Sequence, residues 1–219
     1  AQQDAMPDRR RSVWRDMGDG IVYVARHPGI GPLLLMLAIV SVCVRPFVEL
    51  MPGIAADLFH RDAGGLAMLT SSIGIGAVIG GLWIGQLQGG RSLVMITLVS
   101  TLLVALLTEA FIATDAFWFA LCCTTMAGAC LVASGVSTQT LLQLSVDPNM
   151  RGRVLSLYGL IFRGGPAIGA VIMGWGSQFV GLRWQLAVGA VIAIVGWWLT
   201  WQRRHDIEAA LLPAHPGGE

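Results

Sequence analysis

Six long apolar segments dominate the chain, and each is long enough to cross the hydrocarbon core of a membrane. A spanning helix needs about 20 apolar residues, because it rises about 1.5 Å per residue through a core of about 30 Å. Short polar breaks rich in Gly, Asp, Asn, Pro and Arg separate the segments, as expected of turns. The predicted spans are 32–58, 66–87, 93–113, 117–142, 154–180 and 186–201, and the breaks include 145–153 and 181–183.

The scarcity of charge argues against a soluble globular domain. Charged residues make up 12% of the chain and hydrophobic residues 55%, whereas a typical soluble domain carries about 25% charged residues. The mean hydropathy is +0.69. A net charge of +1 without a basic stripe gives no indication of nucleic-acid binding. We therefore predict an all-α integral membrane protein, a bundle of six transmembrane helices.

The arginines predict the orientation of the bundle, because cytoplasmic loops are enriched in basic residues. With the N-terminus inside, ten of the 14 arginines lie on the cytoplasmic side, and only Arg61 and Arg183 lie outside. We expect a bacterial inner (plasma) membrane protein with both termini cytoplasmic. The expected organisation is a cytoplasmic linker with a short amphipathic helix at 1–31, a six-helix transmembrane bundle at 32–202 and a cytoplasmic tail at 203–219. The linker helix lies either on the membrane surface or against protein.

Two charges and two prolines lie close together in the first span. Pro46 and Pro52 each remove a backbone donor, so we expect the helix to kink there. Arg45 and Glu49 are four residues apart near the membrane midplane, so they can share a helix face and offset each other's charge. They are either a polar lining for a substrate or proton path or a structural ion pair. We favour the path, because a kinked, charged helix is a costly way to pack.

Three more polar side chains fall within the predicted spans. Arg163 has no acidic residue within one turn. Its partner is therefore Glu49 or another residue of a different helix, a lipid headgroup or a substrate anion, unless its guanidinium extends to the cytoplasmic surface. Gln139 and Gln143 lie one turn apart near the inner end of the fourth span, where they either line a cavity or hydrogen-bond between helices. With Arg45 they complete the candidate substrate and proton pathway.

Glycines recur at four-residue spacing in two spans, which lets helix backbones approach closely. The spacing predicts either tight static packing or smooth helix faces that permit rocking between two states. Pro166, in the fifth span, is a third candidate kink. The predicted packing pairs are Gly76 with Gly80, Gly81 with Gly85, and Gly165 with Gly169.

Two stretches resemble a known group of transporters. Residues 140–170 read TLLQLSVDPNMRGRVLSLYGLIFRGGPAIGA, and residues 23–38 read YVARHPGIGPLLLMLA. Both resemble the C-terminal half of major facilitator superfamily exporters, in the branch of the enterobactin exporter and the transmembrane secretion effectors. The resemblance implies that the six spans are helices 7–12 of a twelve-helix carrier. It also implies proton-coupled export of a drug-like or siderophore-like molecule by alternating access.

Two motifs of that superfamily are partly kept. Residues 165–170 read GPAIGA, which is similar to the antiporter motif GPxxGG with Ala170 in place of its last glycine. Residues 85–91 read GQLQGGR, which resembles the loop motif GxLxDRxGRR without its Asp. The first motif implies antiport, and the second lacks the acid of a gating salt bridge. Among the acidic residues, Glu49 is the preferred proton carrier and Glu109 the second.

Two other classes of function compete with transport. An intramembrane enzyme is disfavoured, because all four histidines lie outside the predicted spans and these contain no Ser–His pair or HExxH motif. A non-transporting scaffold or partner-binding subunit is the alternative, although it would not require Arg45 or Arg163 at membrane depth.

The expected partners follow from the resemblance. Six helices form one of two rocking bundles, and the sequence begins without methionine. We therefore expect an N-terminal six-helix half, fused upstream or supplied by a separate chain. The other expected partners are the lipid bilayer, a small-molecule substrate and protons, and we expect no cofactor and no metal.

Overall fold

The computed structural model describes residues 9–86 and 90–211, with side chains over 18–86 and 93–211. Every regular element in these ranges is α-helical, and six helical segments are long and apolar enough to cross a membrane. The predicted six-span, all-α architecture is therefore confirmed. Most of the motif-like stretch 85–91, including the predicted end of the second span, lies outside the described residues and side chains. The helices are α1 Arg9–Arg26, α2 Ile30–Cys43, α3 Pro46–Glu49, α4 Met51–Asp57, α5 Ala63–Gly85, α6 Gly90–Ala113, α7 Phe117–Ser145, α8 Pro148–Val180, α9 Leu182–Gln202 and α10 Arg204–Leu211.

The first span is divided into three short helices at its prolines. Pro46 opens α3, and Pro52 lies in the first turn of α4. Proline fits these positions, because the first turn of a helix has no intrahelical partner for the missing donor. Before the break, the carbonyl of Val40 accepts hydrogen bonds from both Val44 N (2.9 Å) and Arg45 N (3.0 Å). This widened turn ends α2 without leaving either donor unpaired.

Two connections are shorter than the sequence predicts. The breaks expected at 145–153 and 181–183 are mostly helical, because α8 already begins at Pro148 and α9 at Leu182. Proline favours the first turn of a helix, and the Arg-containing segment after it extends α8 to 33 residues. Gly181 alone connects α8 to α9, with φ +81°, a conformation that glycine adopts without steric cost.

Helix packing repeats between the two halves of the bundle. In one half, α7 packs against both α5 and α6. In the other half, α2 packs in the same way against both α8 and α9. The two halves also meet where α6 contacts α9. These contacts of α2, α5 and α6 therefore parallel those of α7, α8 and α9. Each set contributes three spans, so the two sets start on opposite sides of the membrane. This is the arrangement of inverted three-helix repeats in transporters.

Two predicted glycine pairs lie at equivalent interfaces of this repeat. A Cβ added to Gly76 or Gly80 would overlap the backbone of α7. One added to Gly165 or Gly169 would overlap atoms of α2. Pro166 lies within the second pair, yet α8 continues on both sides of it, so this proline does not divide its helix as the prolines of the first span do.

The prediction that Gly81 and Gly85 form a close helix contact is wrong. A Cβ added to Gly85 would meet nothing within 4 Å, and one added to Gly81 would make only ordinary contact with Val132 Cγ1 at 3.7 Å. Consecutive residues lie about 100° apart around a helix, so Gly81 points away from the interface that Gly80 forms. Gly81 and Gly85 therefore make no close helix approach within the described chain.

We expect Gly80→Ala to lower the free energy of unfolding by about 1–3 kcal/mol, because its methyl group would force the backbones of α5 and α7 apart. Gly74→Ala is the matched control on the same helix, where an added Cβ meets nothing within 4 Å. Its helix propensity predicts no loss and a gain of up to about 1 kcal/mol. Thermal unfolding of both variants in one detergent checks this, and equal midpoints would contradict it.

Polar contacts hold α1 against the start of α8. Tyr23 Oη donates to Asp147 Oδ2 at 3.2 Å, and Arg153 Nη1 lies 3.3 Å from Asp19 Oδ2. Ile21 and Val22 of the same helix remain half exposed. α1 therefore packs on protein along one side and presents apolar side chains on another.

His27 holds the start of α2. Its Nδ1 accepts hydrogen bonds from the backbone N–H groups of Gly29 and Ile30, both at 3.2 Å. Only neutral imidazole can accept them. Burial lowers the pKa of His27 below its ordinary value of 6.5, against an opposing pull from the Asp147 carboxylate. Because the unfolded state takes up the proton first, this contribution to stability is present above pH 6.5 and is lost as pH falls below it.

We therefore expect the α1–α2 junction to loosen at pH 5 relative to pH 7.5. Losing a cap of this kind costs about 0.5–2 kcal/mol. Hydrogen exchange at residues 29–31, corrected for the intrinsic pH dependence, measures the change. His27→Asn keeps an acceptor near the position of Nδ1 and should remove the pH dependence, whereas His27→Ala should give low protection at both values. Equal protection of the unmodified protein at both values would contradict the prediction.

Candidate functional site

A groove of about 330 Å³ lies between the break in the first span and helices α7 and α8. Its walls are mainly apolar, but Arg45, Gln139 and Arg163 bring polar groups to it. The first and fifth predicted spans begin at residues 32 and 154. At about 1.5 Å per residue, Arg45 lies about 20 Å into the first of these spans and Arg163 about 14 Å into the second. The groove therefore lies within the depth of the hydrocarbon core.

An aromatic stack holds the Arg45 guanidinium in this groove. Its Cζ lies 3.8 Å from the centroid of the Phe162 ring. Phe162 in turn stacks on Tyr158, with centroids 5.4 Å apart and planes inclined by 27°. Tyr158 Oη donates to the carbonyl of Gly135 at 2.9 Å. One continuous set of contacts thus joins the first span to α8 and α7.

Local geometry explains why these residues meet. Arg45 lies in the break between α2 and α3, next to α8. Tyr158 and Phe162 are four residues apart on α8 and so lie on one helix face. Gly135 of α7 leaves room for the ring, since an added Cβ would lie only 3.0 Å from Phe162 Cε2.

Arg45 and Glu49 do not form the ion pair that was one of the two alternatives for them. No ion pair joins them among the described side chains, because the guanidinium stacks on Phe162 and the Glu49 side chain is exposed. Arg163 is also exposed, and it forms no ion pair with Glu49 or with any other described acid. The two arginines at this depth therefore form no ion pair within the described part of the chain.

The structure divides the predicted pathway residues into two groups. Arg45, Gln139 and Arg163 line the groove. Glu49 and Gln143 do not line it, and both are exposed. The roles of all five in transport remain predictions.

Three residues that shape the site were not among the candidates from the sequence: Gly135, Tyr158 and Phe162. The available signal was the aromatic pair at four-residue spacing directly before Arg163. That spacing places both rings on the helix face next to a charged residue. It does not indicate which helix they meet.

We expect Phe162→Leu to lower the free energy of unfolding by about 1–2 kcal/mol, because leucine keeps the apolar bulk but removes the ring that supports the cation. Phe119→Leu on α7 is the matched control, since Phe119 is 52% exposed and contacts no other described ring or cation. Thermal unfolding in one detergent compares them. A loss no larger than that of the control would show that the stack contributes nothing.

Comparison with known proteins agrees with this architecture. Residues 2–213 match the family described as transmembrane secretion effector. The chain belongs to this family. It is therefore a member of the major facilitator superfamily and a multi-pass protein of the lipid bilayer, which confirms the resemblance seen at 23–38 and 140–170.

Two relatives carry a functional name. Macrolide efflux protein A of Streptococcus pyogenes is 26% identical over 185 residues, which cover 83% of this chain and 45% of the relative. Macrolide efflux protein A of Enterococcus faecalis is 26% identical over 150 residues, which cover 67% of this chain and 46% of the relative. The chain thus matches a little under half the length of these relatives.

Proposed function

We propose that this chain forms one half of a proton-coupled secondary transporter that exports a drug-like molecule by alternating access. The observation that carries the proposal is Arg45, held on Phe162 inside a groove at bilayer depth. A charged side chain at the membrane centre costs at least about 2.5–3.5 kcal/mol, and such residues mark substrate or ion paths. Arg45 forms no ion pair with a described side chain, so its guanidinium is better suited to binding a ligand than to holding a structural ion pair.

The lining of the groove suggests a class of substrate. The aliphatic side chains of Val132, Val136 and Leu155 suit an apolar body. The donors of Arg45, Gln139 and Arg163 suit carbonyl, hydroxyl or anionic oxygens. The relatives are named for macrolide efflux, and a macrocyclic lactone combines these features. We therefore propose a lipophilic substrate rich in acceptor oxygens.

Alternating access requires a second bundle. The relatives are about twice as long as the matched region, which supports an N-terminal six-helix half, fused or separate. With both termini cytoplasmic, as the arginine distribution favours, 1–31 would connect the halves on the cytoplasmic side, 32–202 would form the bundle and 203–219 a cytoplasmic tail.

We propose Glu49 as the proton carrier. It follows Arg45 by four residues, and its side chain is exposed, so it can exchange protons with water in the cleft between the halves. Glu109 suits the role less well, because it is half buried on α6 and its Oε1 contacts no described hydrogen-bonding partner.

The test is transport by the complete protein in inside-out vesicles that are acidified inside. We expect accumulation of labelled erythromycin that collapses when a protonophore removes the gradient. Glu49→Gln should abolish the dependence on the gradient, because an amide cannot carry the proton, while Glu109→Gln should retain it. Gradient-driven transport by Glu49→Gln would remove this residue from the mechanism. No gradient-driven flux of erythromycin or of other lipophilic drugs would favour the non-transporting scaffold instead.

A further inference from the structure

A second groove, of about 710 Å³, lies between α8 and α9 next to α1. The two helices meet at Gly181, where α8 ends and α9 begins. An added Cβ on Gly189 of α9 would overlap the backbone of Cys43 of α2 and would lie 2.7 Å from Met173 Cε of α8. Two turns further along, the three atoms nearest to a Cβ added on Gly196 all belong to Ile39 of α2, and none belongs to α8. α8 and α9 therefore separate toward the α1 side, and α2 forms the floor between them.

The body of this groove is apolar. Every side chain along it comes from a predicted membrane span or from the apolar side of α1, and Leu35 on its floor is 63% exposed. The groove therefore offers hydrocarbon a surface that the bundle leaves uncovered. The residues used below are Ala25 of α1, Leu35 and Ala38 of α2, Ile161 of α8 and Leu199 of α9.

The end of the groove next to α1 is polar, with Thr200, Gln202 and Arg203. Arg203 follows the last residue of α9, and its side chain is exposed and makes no hydrogen bond or ion pair with a described residue. The next residue is different, because the Arg204 guanidinium stacks over Trp201 at 4.6 Å and donates to its carbonyl at 3.3 Å. Arg203 is thus a cation at the mouth of the groove, available to an anion.

We propose that this groove binds one anionic phospholipid from the leaflet next to α1. Its phosphate would lie at Arg203, and one acyl chain would run between α8 and α9 over Leu35 and Ala38. The chemistry of the groove changes from guanidinium to hydrocarbon along the helix axis, in the same order as a phospholipid standing in its leaflet. Basic pockets between transmembrane helices bind anionic headgroups in this way.

The occupant follows from charge and position. A zwitterionic lipid brings a cation next to Arg203 and loses part of the attraction. A free phosphate or sugar phosphate would leave the apolar floor uncovered. The bound lipid would contact α1, α2, α8 and α9 at once, so it would hold the linker helix against the bundle.

The experiment is native mass spectrometry of the complete protein, titrated with phosphatidylglycerol in mild detergent. We expect one lipid to bind more tightly than phosphatidylcholine. Arg203→Gln should weaken phosphatidylglycerol about five-fold, the effect of one basic residue at an anionic headgroup. Arg151→Gln is the matched control, an exposed arginine near the start of α8 that does not line the groove.

A second pair of variants tests the acyl-chain site. Ala38→Phe should fill the floor and abolish tight binding, whereas Val191→Phe, on the 55% exposed lipid face of α9, should not. Should Ala38→Phe fail to fold, Ala25→Leu narrows the groove from α1 and serves the same purpose. Equal affinity for phosphatidylcholine, or phosphatidylglycerol affinity unchanged by both Arg203→Gln and the filling variant, would overturn the proposal. Binding of glycerol phosphate as tight as that of the lipid would also overturn it.

Discussion

The hydrogen-bonding requirement of a backbone in hydrocarbon governs this structure. No water is available there, so a span must satisfy its own N–H and C=O groups or bury them against protein. The first span departs from a regular helix at bilayer depth and still meets the requirement. Val40 O accepts two donors across the break, and α8 covers the break where Pro46 lies against Gly169. The glycines of α8 are thus what makes an irregular first span tolerable.

The break also creates the candidate site. A regular helix through Arg45 would keep its side chain in the stripe it shares with Glu49, four residues later. Because α2 ends before Arg45, the guanidinium instead lies over the Phe162 ring, which fits because Gly135 has no side chain. The guanidinium makes a cation–π contact and no hydrogen bond or ion pair with a described residue. The break in the first span therefore accounts both for the packing of Arg45 on Phe162 and for the presence of a cation in the groove.

The sequence was sufficient for the number and approximate position of the spans, because apolar length is a direct requirement of the bilayer. It failed where the decisive property was not apolar length. The stretch after Pro148 is polar, so its composition predicts a break, yet it is a helical extension of α8. The preference of proline for the first turn of a helix, rather than hydropathy, determined where α8 begins.

Which face of each helix meets protein and which meets lipid was even harder to predict from the sequence. In a soluble protein the buried face is the apolar one, but here lipid and protein interior are equally apolar, so periodicity cannot separate them. Gly80 and Gly81 are indistinguishable in sequence, and only the first meets a neighbouring backbone. The partner of Arg45 depended on the same information, since Tyr158 and Phe162 matter only because their face of α8 meets the first span. Residue spacing restricted the candidates, and three-dimensional packing selected among them.

The attachment of α1 to α8 gives the linker helix a mechanical role. α8 is one unbroken helix of 33 residues, and α1 is fastened near its first turn through Tyr23 and Asp147 and through Asp19 and Arg153. The same stiff helix carries Phe162 and Arg163 some four turns away. A tilt of α8 that widens or closes the groove must therefore displace α1 as well. A displacement of the segment before the first span and a change in the shape of the groove are therefore coupled through α8.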